Sequence, residues 1–170
     1  DDFVSFIDFA PTFLDVAGLE RKDTAMKSIT GETLMDIVRG RGEEVNNAGR
    51  DHVLIGKERH DLGRPGDKGY PIRGIFKGEY LYLRNFEPER WPAGNPETGY
   101  MNADGCPTKS EILRFQHDPE WGEYWKLAFG KRPEEELYHF TEDPACMENL
   151  AGDDAYQNIK VALRDELMST

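Results

Sequence analysis

The segment Ile72-Arg73-Gly74-Ile75-Phe76, the turn Lys77-Gly78-Glu79 and the segment Tyr80-Leu81-Tyr82-Leu83-Arg84 constrain the fold more than any other part of the chain. Apolar residues alternate on both sides of one glycine turn, the pattern of an antiparallel β-hairpin. A lone hairpin is barely stable in water, so other segments must extend and cover it. The run His52-Val53-Leu54-Ile55-Gly56 is short, apolar and β-branched and reads as a buried strand. Glu136-Leu137-Tyr138-His139-Phe140 reads as the last strand.

Helices are expected around these strands. Phe6, Phe9, Phe13, Val16 and Ala17 recur at helical spacing, which predicts a helix with one buried side, ended by Gly18. Pro11 moves the expected start of its regular part to Pro11 itself. With no preceding cap of its own visible, this helix is expected to need upstream packing partners. A short helix is predicted over 32–39 and a polar loop over 41–50. The 85–105 stretch, rich in Pro, Gly and Asn, reads as a surface loop anchored by Phe86 and Trp91. Thr108 followed by Glu111 has the form of a capping box opening a helix through Phe115, and a further helix is predicted over 119–129. Asp153 or Asp154 caps a terminal helix with the stripe Ala155, Ile159, Ala162, Leu163 and Leu167. The sum is an α+β fold, a small antiparallel sheet of three or four strands packed with helices that include a C-terminal one.

Charge narrows the function. A formal net charge of -12 over 170 residues repels nucleic acid and anionic membranes, so neither is an expected partner, and an anionic ligand needs a local basic cluster. No apolar run is long enough to cross a membrane. Cys106 and Cys146 form neither a disulfide framework nor a zinc site. His52, His117 and His139 have no partner at i+3 or i+4, and the run Glu134-Glu135-Glu136 reads as a solvated face, so no metal site is expected here. Trp121 and Trp125 lie four apart and read as a core stripe.

Three motifs carry a family resemblance. The segment from Val4-Ser5 through Asp8, Pro11-Thr12 and Leu14 to Gly18 resembles a sulfatase segment of the form VSxxDxxPTxLxxxG, and Gly31-Glu32-Thr33-Leu34 resembles the helix start that follows it. Arg132-Pro133-Glu134-Glu135-Glu136-Leu137-Tyr138, Asp143-Pro144 and Glu148-Asn149-Leu150-Ala151 are similar to the closing sulfatase signature, with His139 where an aspartate is usual. The order and spacing of these motifs agree across nearly the whole chain. Glu58-Arg59-His60 and Tyr70-Pro71-Ile72-Arg73 look like the branch of heparan N-sulfatases, or sulfamidases. The family lies in the alkaline-phosphatase superfamily.

The resemblance implies the C-terminal portion of a hydrolase acting on sulfate esters or N-sulfates of sulfated glycans such as glycosaminoglycans. Residues 1–50 would be the helical edge of the large α/β catalytic domain and 51–170 the C-terminal subdomain. The family's formylglycine nucleophile, made within a C/S-x-P-x-R motif, and its calcium ion match no position here. Cys106-Pro107-Thr108-Lys109-Ser110 has the wrong order for that motif and reads as a loop entering a helix. The missing N-terminal catalytic part is thus an implied partner, the chain alone is expected to be inactive, and a periplasmic, secreted or lysosomal location is implied.

Substrate contacts are then expected at strand ends: Lys57, Glu58, Arg59, His60, Tyr70 and Arg73. Arginine offers a forked donor to sulfate or carboxylate oxygens, histidine a donor, and glutamate an acceptor for sugar hydroxyls. The bland alternative for residues 57–60 is a solvated strand end with surface ion pairs. Tyr70 reads as a sugar platform or a packing anchor, and Arg73 as a mouth or sheet-edge residue. Arg84, Arg90 and Trp91 form a second basic-aromatic set, first read as holding down the long loop. Two other functions stay open: a stand-alone module binding sulfated glycans, and part of a related phosphodiesterase or phosphatase.

Overall fold

The computed structural model describes residues 3–40, 50–59 and 64–170. The chain divides into two compact units, residues 1–54 with 76–78, and residues 55–75 with 79–170.

In the first unit a 3-10 turn, Phe6–Asp8, runs directly into α1, Phe9–Val16. The helix has a cap after all: the Asp8 carboxylate reaches back to accept from the Ser5 amide at 2.9 Å. Pro11 sits in the first turn, where its missing N–H costs nothing, so the helix starts before it. Gly18, at φ 68°, ends it in the left-handed conformation that glycine adopts freely.

The sulfatase-like residues of this unit form a lock. Asp8 is fully buried and binds the Arg50 guanidinium in a fork, at 2.5 and 2.7 Å, while also accepting from the Glu32 amide at 3.0 Å. The Thr12 hydroxyl donates to the Asp8 carbonyl at 2.6 Å and accepts from the Leu34 amide at 2.9 Å. Gly31 passes so close that a Cβ there would lie 2.0 Å from the Ile7 carbonyl oxygen. This lock leads into α2, Met35–Val38, shorter than the predicted span.

The buried side of α1 is therefore the side of Asp8, Pro11 and Thr12, not the apolar stripe. Phe6 is 86% exposed, Phe13 68% and Val16 66%. Phe6 and Phe9 pack edge to face with centroids 5.3 Å apart, and Phe9 lies 6.2 Å from Phe13, so the stripe is a continuous aromatic ladder facing outward.

Four strands form one sheet in the order β1-β2-β3-β4: β1 His52–Lys57, β2 Ile72–Lys77, β3 Tyr80–Asn85 and β4 Glu135–His139. β2 and β3 are the predicted hairpin, with Gly78 at φ 58° in its turn. β3 and β4 pair antiparallel with Leu81 opposite Tyr138 and Arg84 opposite Glu135. Between these strands come α3, Pro107–Arg114, and α4, Gly122–Phe129; α5, Gln157–Ser169, follows β4. The cap of α3 is Cys106, whose sulfur accepts from the Lys109 amide, and not Thr108, because Pro107 takes the first helical position, to which its fixed φ is suited. Asp153 caps the turn that leads into α5.

The second unit holds two apolar clusters. Ile75, Tyr82 and Leu137 of the sheet pack with Ala151 and with Leu163 and Leu167 of α5. Tyr100, Trp125 and Phe129 form the other, with Trp91, Ile112 and Leu113 against it. Trp121, expected beside Trp125 in the core, lies partly exposed and stacks on Tyr124.

The closing signature is structural as well. Glu136 is not on a solvated face: it is buried, and accepts from the Asn85 amide at 2.6 Å and the Tyr138 hydroxyl at 2.5 Å. Strand alternation puts it with Tyr138 on the face of β4 opposite Leu137, while Glu134 and Glu135 pair with Arg84. Those two charge-assisted bonds offset the cost of burying a carboxylate. The Asn149 side-chain oxygen accepts from the Leu137 and Ala151 amides, at 2.9 and 3.0 Å, and so ties β4 to the turn after it. His139 packs against Tyr80 with ring centroids 4.6 Å apart and faces the Thr141 hydroxyl at 3.1 Å.

Candidate substrate-binding site

The exit of β1 is fixed by backbone contacts. The Tyr70 amide donates to the Glu58 carbonyl at 2.8 Å, and Gly69 approaches that carbonyl so closely that a Cβ would lie 2.7 Å from its oxygen. This brings Glu58 and Arg59 beside the start of β2. Arg73 donates to the Glu58 carboxylate at 2.7 Å and to the Lys57 carbonyl at 3.4 Å. Arg59 pairs with Asp67 through its carboxylate and its carbonyl.

Lys57, Glu58, Arg59 and Arg73 thus gather at one strand end, all of them exposed. Both arginines are held in place by an acid, so an incoming anion competes with Asp67 and Glu58. Such exposed pairs hold by only about 0.2–1 kcal/mol, weak enough to be exchanged for a ligand. His60 lies outside the described residues.

Tyr70 has a different position from its neighbours in the predicted set. Its ring is 0% exposed, and the Arg64 guanidinium carbon stands 5.5 Å from the ring centroid. It anchors the loop and presents no open face to a sugar. Burial, the largest influence, and the charge of Glu136 push its phenol pKa upward.

Arg64, only 6% exposed, is the central residue that sequence reasoning passed over. It donates to the Trp91 carbonyl at 2.9 and 2.6 Å and to the Pro92 carbonyl at 2.7 Å, clamping the long loop. Arg90 donates to the Gly69 carbonyl at 2.9 Å and pairs with Glu87 at 2.7 Å, which is the loop-holding role expected of it. Between these segments lies a cavity of ≈ 300 Å³ lined by Arg64, Pro65, Lys68, Glu89, Arg90, Trp91 and Asn95. Partial withdrawal from water, and secondarily the charge of Arg64, lower the Lys57 ammonium pKa; burial and then Arg90 do the same to Arg64. The basic strand end and the basic cavity therefore feel one another's charge. Arg84, by contrast, is engaged with Glu134 and Glu135 across β3 and β4.

Cys106 serves as a helix cap in a sequence lacking the C/S-x-P-x-R order.

No protein-family model matches the chain. Two curated ulvan-active sulfatases of Formosa agariphila match it over 169 residues each. One is 29% identical across 96% of this chain and 24% of the relative, the other 25% identical across 99% and 29%. The chain spans about a quarter of the length of the curated relatives it matches.

Three solved structures share the fold at low identity. A protein in complex with its substrate D-glucosamine-2-N,6-O-disulfate gives a TM-score of 0.51 and 19% identity over 95% of this chain and 22% of that one. A 2-O GAG sulfatase gives 0.53 and 18% over 95% and 23%. The phosphonate monoester hydrolase of Agrobacterium radiobacter gives 0.56 and 16% over 99% and 25%. The fold is thus one found as a part of larger hydrolases. The sulfatase resemblance of the sequence holds, since the curated relatives are sulfatases and the match is to their C-terminal portion.

Proposed function

We propose that this chain is the C-terminal part of a sulfatase that hydrolyses sulfate groups on sulfated glycans, and that it supplies substrate contacts and a docking face in place of bond-breaking groups. The observation that carries the reading is the match, over nearly all of this chain, to sulfatases of which it covers 24% and 29%, in a chain whose first helix turns an aromatic ladder outward. Contiguous exposed apolar surface of this kind marks an interaction site. Its occupant in this reading is the catalytic body, which carries the formylglycine and the calcium.

Lys57, Glu58, Arg59 and Arg73, with His60 following, then face the substrate. The two arginines release Asp67 and Glu58 to take sulfate or carboxylate oxygens, for which the guanidinium fork is suited. The Glu58-Arg59-His60 and Tyr70-Pro71-Ile72-Arg73 segments favour the N-sulfatase branch within this reading. A compartment outside the cytoplasm accords with it, and among the described residues no helix is long and apolar enough to cross a membrane.

The test is sulfate release by the longer protein that carries this chain, with sulfated oligosaccharide and phosphate monoester compared. Sulfate release is expected, and Arg59→Ala should raise KM about three- to tenfold while changing stability by less than about 1 kcal/mol. Preference for the phosphate ester would replace the reading with a phosphatase one. Tight, saturable binding of sulfated oligosaccharide by the 170-residue chain, without hydrolysis by the longer protein, would favour a stand-alone binding module.

A further inference from the structure

Beyond the strand end, the cavity between the 64–68 turn and the 89–95 loop has a composition of its own. Three of its seven lining residues are cations and one is an acid, in a chain whose net charge is -12. Glu89, the acid, is turned toward Lys131 at 3.4 Å, and Lys131 in turn lies over the Trp91 ring. The walls are held rigid: Arg64 is clamped to the Trp91 and Pro92 carbonyls, Arg90 to the Gly69 carbonyl and to the Glu87 carboxylate, with which an incoming anion competes, and Trp91 packs edge to face on Tyr100 and Trp125. Lys68, by contrast, is exposed at the rim. A pre-formed pocket with an aromatic wall and a few fixed donors is the usual architecture of a small-molecule site.

We propose that this cavity binds a single sugar unit through an anionic substituent, a sulfate or a carboxylate, with Lys68 and Arg90 meeting the charge, Arg64 behind them, and Trp91 and Pro65 as the apolar wall. The volume of ≈ 300 Å³ stands at the small end of ligand pockets, about 300–1,000 Å³, which suits one ring and not a chain. Asn95 at the same wall offers both a donor and an acceptor for ring hydroxyls. Arg64 stands under the like charge of Arg90, which an entering anion offsets. The proposal draws on the sulfated-glycan reading only for the choice of a sugar as the carrier of the anion. In that reading the cavity is a second contact beside the strand end, for a neighbouring residue of the glycan.

Titration of the 170-residue chain, followed by NMR at the Trp91 indole N–H, tests the site with glucose 6-sulfate, glucuronate, neutral glucose and inorganic sulfate. Saturable shifts are expected with the two charged sugars and none with glucose, and the tighter of the two identifies the anionic group. Lys68→Gln should weaken binding about three- to tenfold and Lys68→Glu abolish it, with the thermal midpoint unchanged because the side chain is exposed. No saturable shift with either charged sugar, an equal response to glucose, equally tight binding of inorganic sulfate, or full binding by Lys68→Glu would each overturn the proposal. Hydrolysis does not enter this titration, so its failure leaves the sulfatase reading standing, and failure of sulfate release leaves the cavity standing.

Discussion

Asp8→Ala should cost the first unit about 3–5 kcal/mol, the penalty for leaving a buried charge without its partner. Both carboxylate oxygens of Asp8 are doubly engaged, one by the Ser5 amide and Arg50, the other by the Glu32 amide and Arg50. Removing the carboxylate strands a guanidinium whose side chain is 17% exposed and frees the two amides that join the helix entry to the Gly31 crossing. Asp8→Asn keeps part of the geometry and loses the charge, so it should fall between the wild type and alanine.

The same group sets an acid limit. Burial, the largest single influence, raises its pKa, but the Arg50 hydrogen bond, the Ser5 and Glu32 amides and the Arg50 charge together bring it below the ordinary 3.8. A carboxyl with a lowered folded-state pKa adds stability that is fully present above the unfolded value and disappears as pH falls through the folded one. The protection factors of the amides of residues 8–10 and 12–16, exchange rates taken relative to the intrinsic rate at each pH, should therefore fall as pH drops below about 4 in the wild type. In Asp8→Asn that acid-dependent step should be missing, and if it persists the pair is not what holds the unit.

Leu137→Ala should cost about 2–5 kcal/mol, this time in the second unit. Leu137 is 0% exposed and packs among Ile75, Tyr82, Leu163 and Leu167, where sheet and α5 meet. Its amide bond to Asn149 survives the substitution, so the loss is one of packing: the buried methyl groups and the cavity left in their place. Leu137→Met, which conserves volume, should cost less than about 1.5 kcal/mol. Urea unfolding followed by circular dichroism distinguishes the two. Equal midpoints for alanine and methionine would mean that the site collapses around the gap, contrary to this account.

Sequence patterning exposed the elements better than it exposed their faces. The β2–β3 hairpin was legible because alternation and a glycine turn are local signals, and the Leu163–Leu167 spacing showed the buried side of α5. The first helix was legible as a helix, yet its apolar stripe faces outward. Apolar periodicity reports that a face wants cover, not that this chain provides it. Glu136 misled in the opposite sense. Three glutamates in a row look solvated, and only pairing with β3 shows that the third one meets Asn85 and Tyr138 inside.

The candidate site was only partly legible in the sequence. Lys57 to Arg59 and Arg73 could be picked out because charge follows an apolar strand, and the structure gathers them. Arg64 and Lys68 sit in a glycine- and proline-rich stretch without periodicity, and the carbonyls that Arg64 binds lie more than twenty residues along the chain, at Trp91 and Pro92. Long-range closure of that kind leaves no local mark. The sulfatase-like motifs, for their part, do structural work: Asp8, Thr12 and Gly31 lock the first unit, and Glu136 and Asn149 tie the second.

The central claim is that this chain leans, through the Phe6, Phe9 and Phe13 ladder, on a catalytic body encoded ahead of it. Reading the coding sequence upstream of Asp1 tests this most directly. The account predicts a continuous frame containing a Cys-x-Pro-x-Arg or Ser-x-Pro-x-Arg motif within an α/β pattern of strands and helices. A stop codon immediately ahead of the chain, or a long upstream frame without that motif, would contradict it.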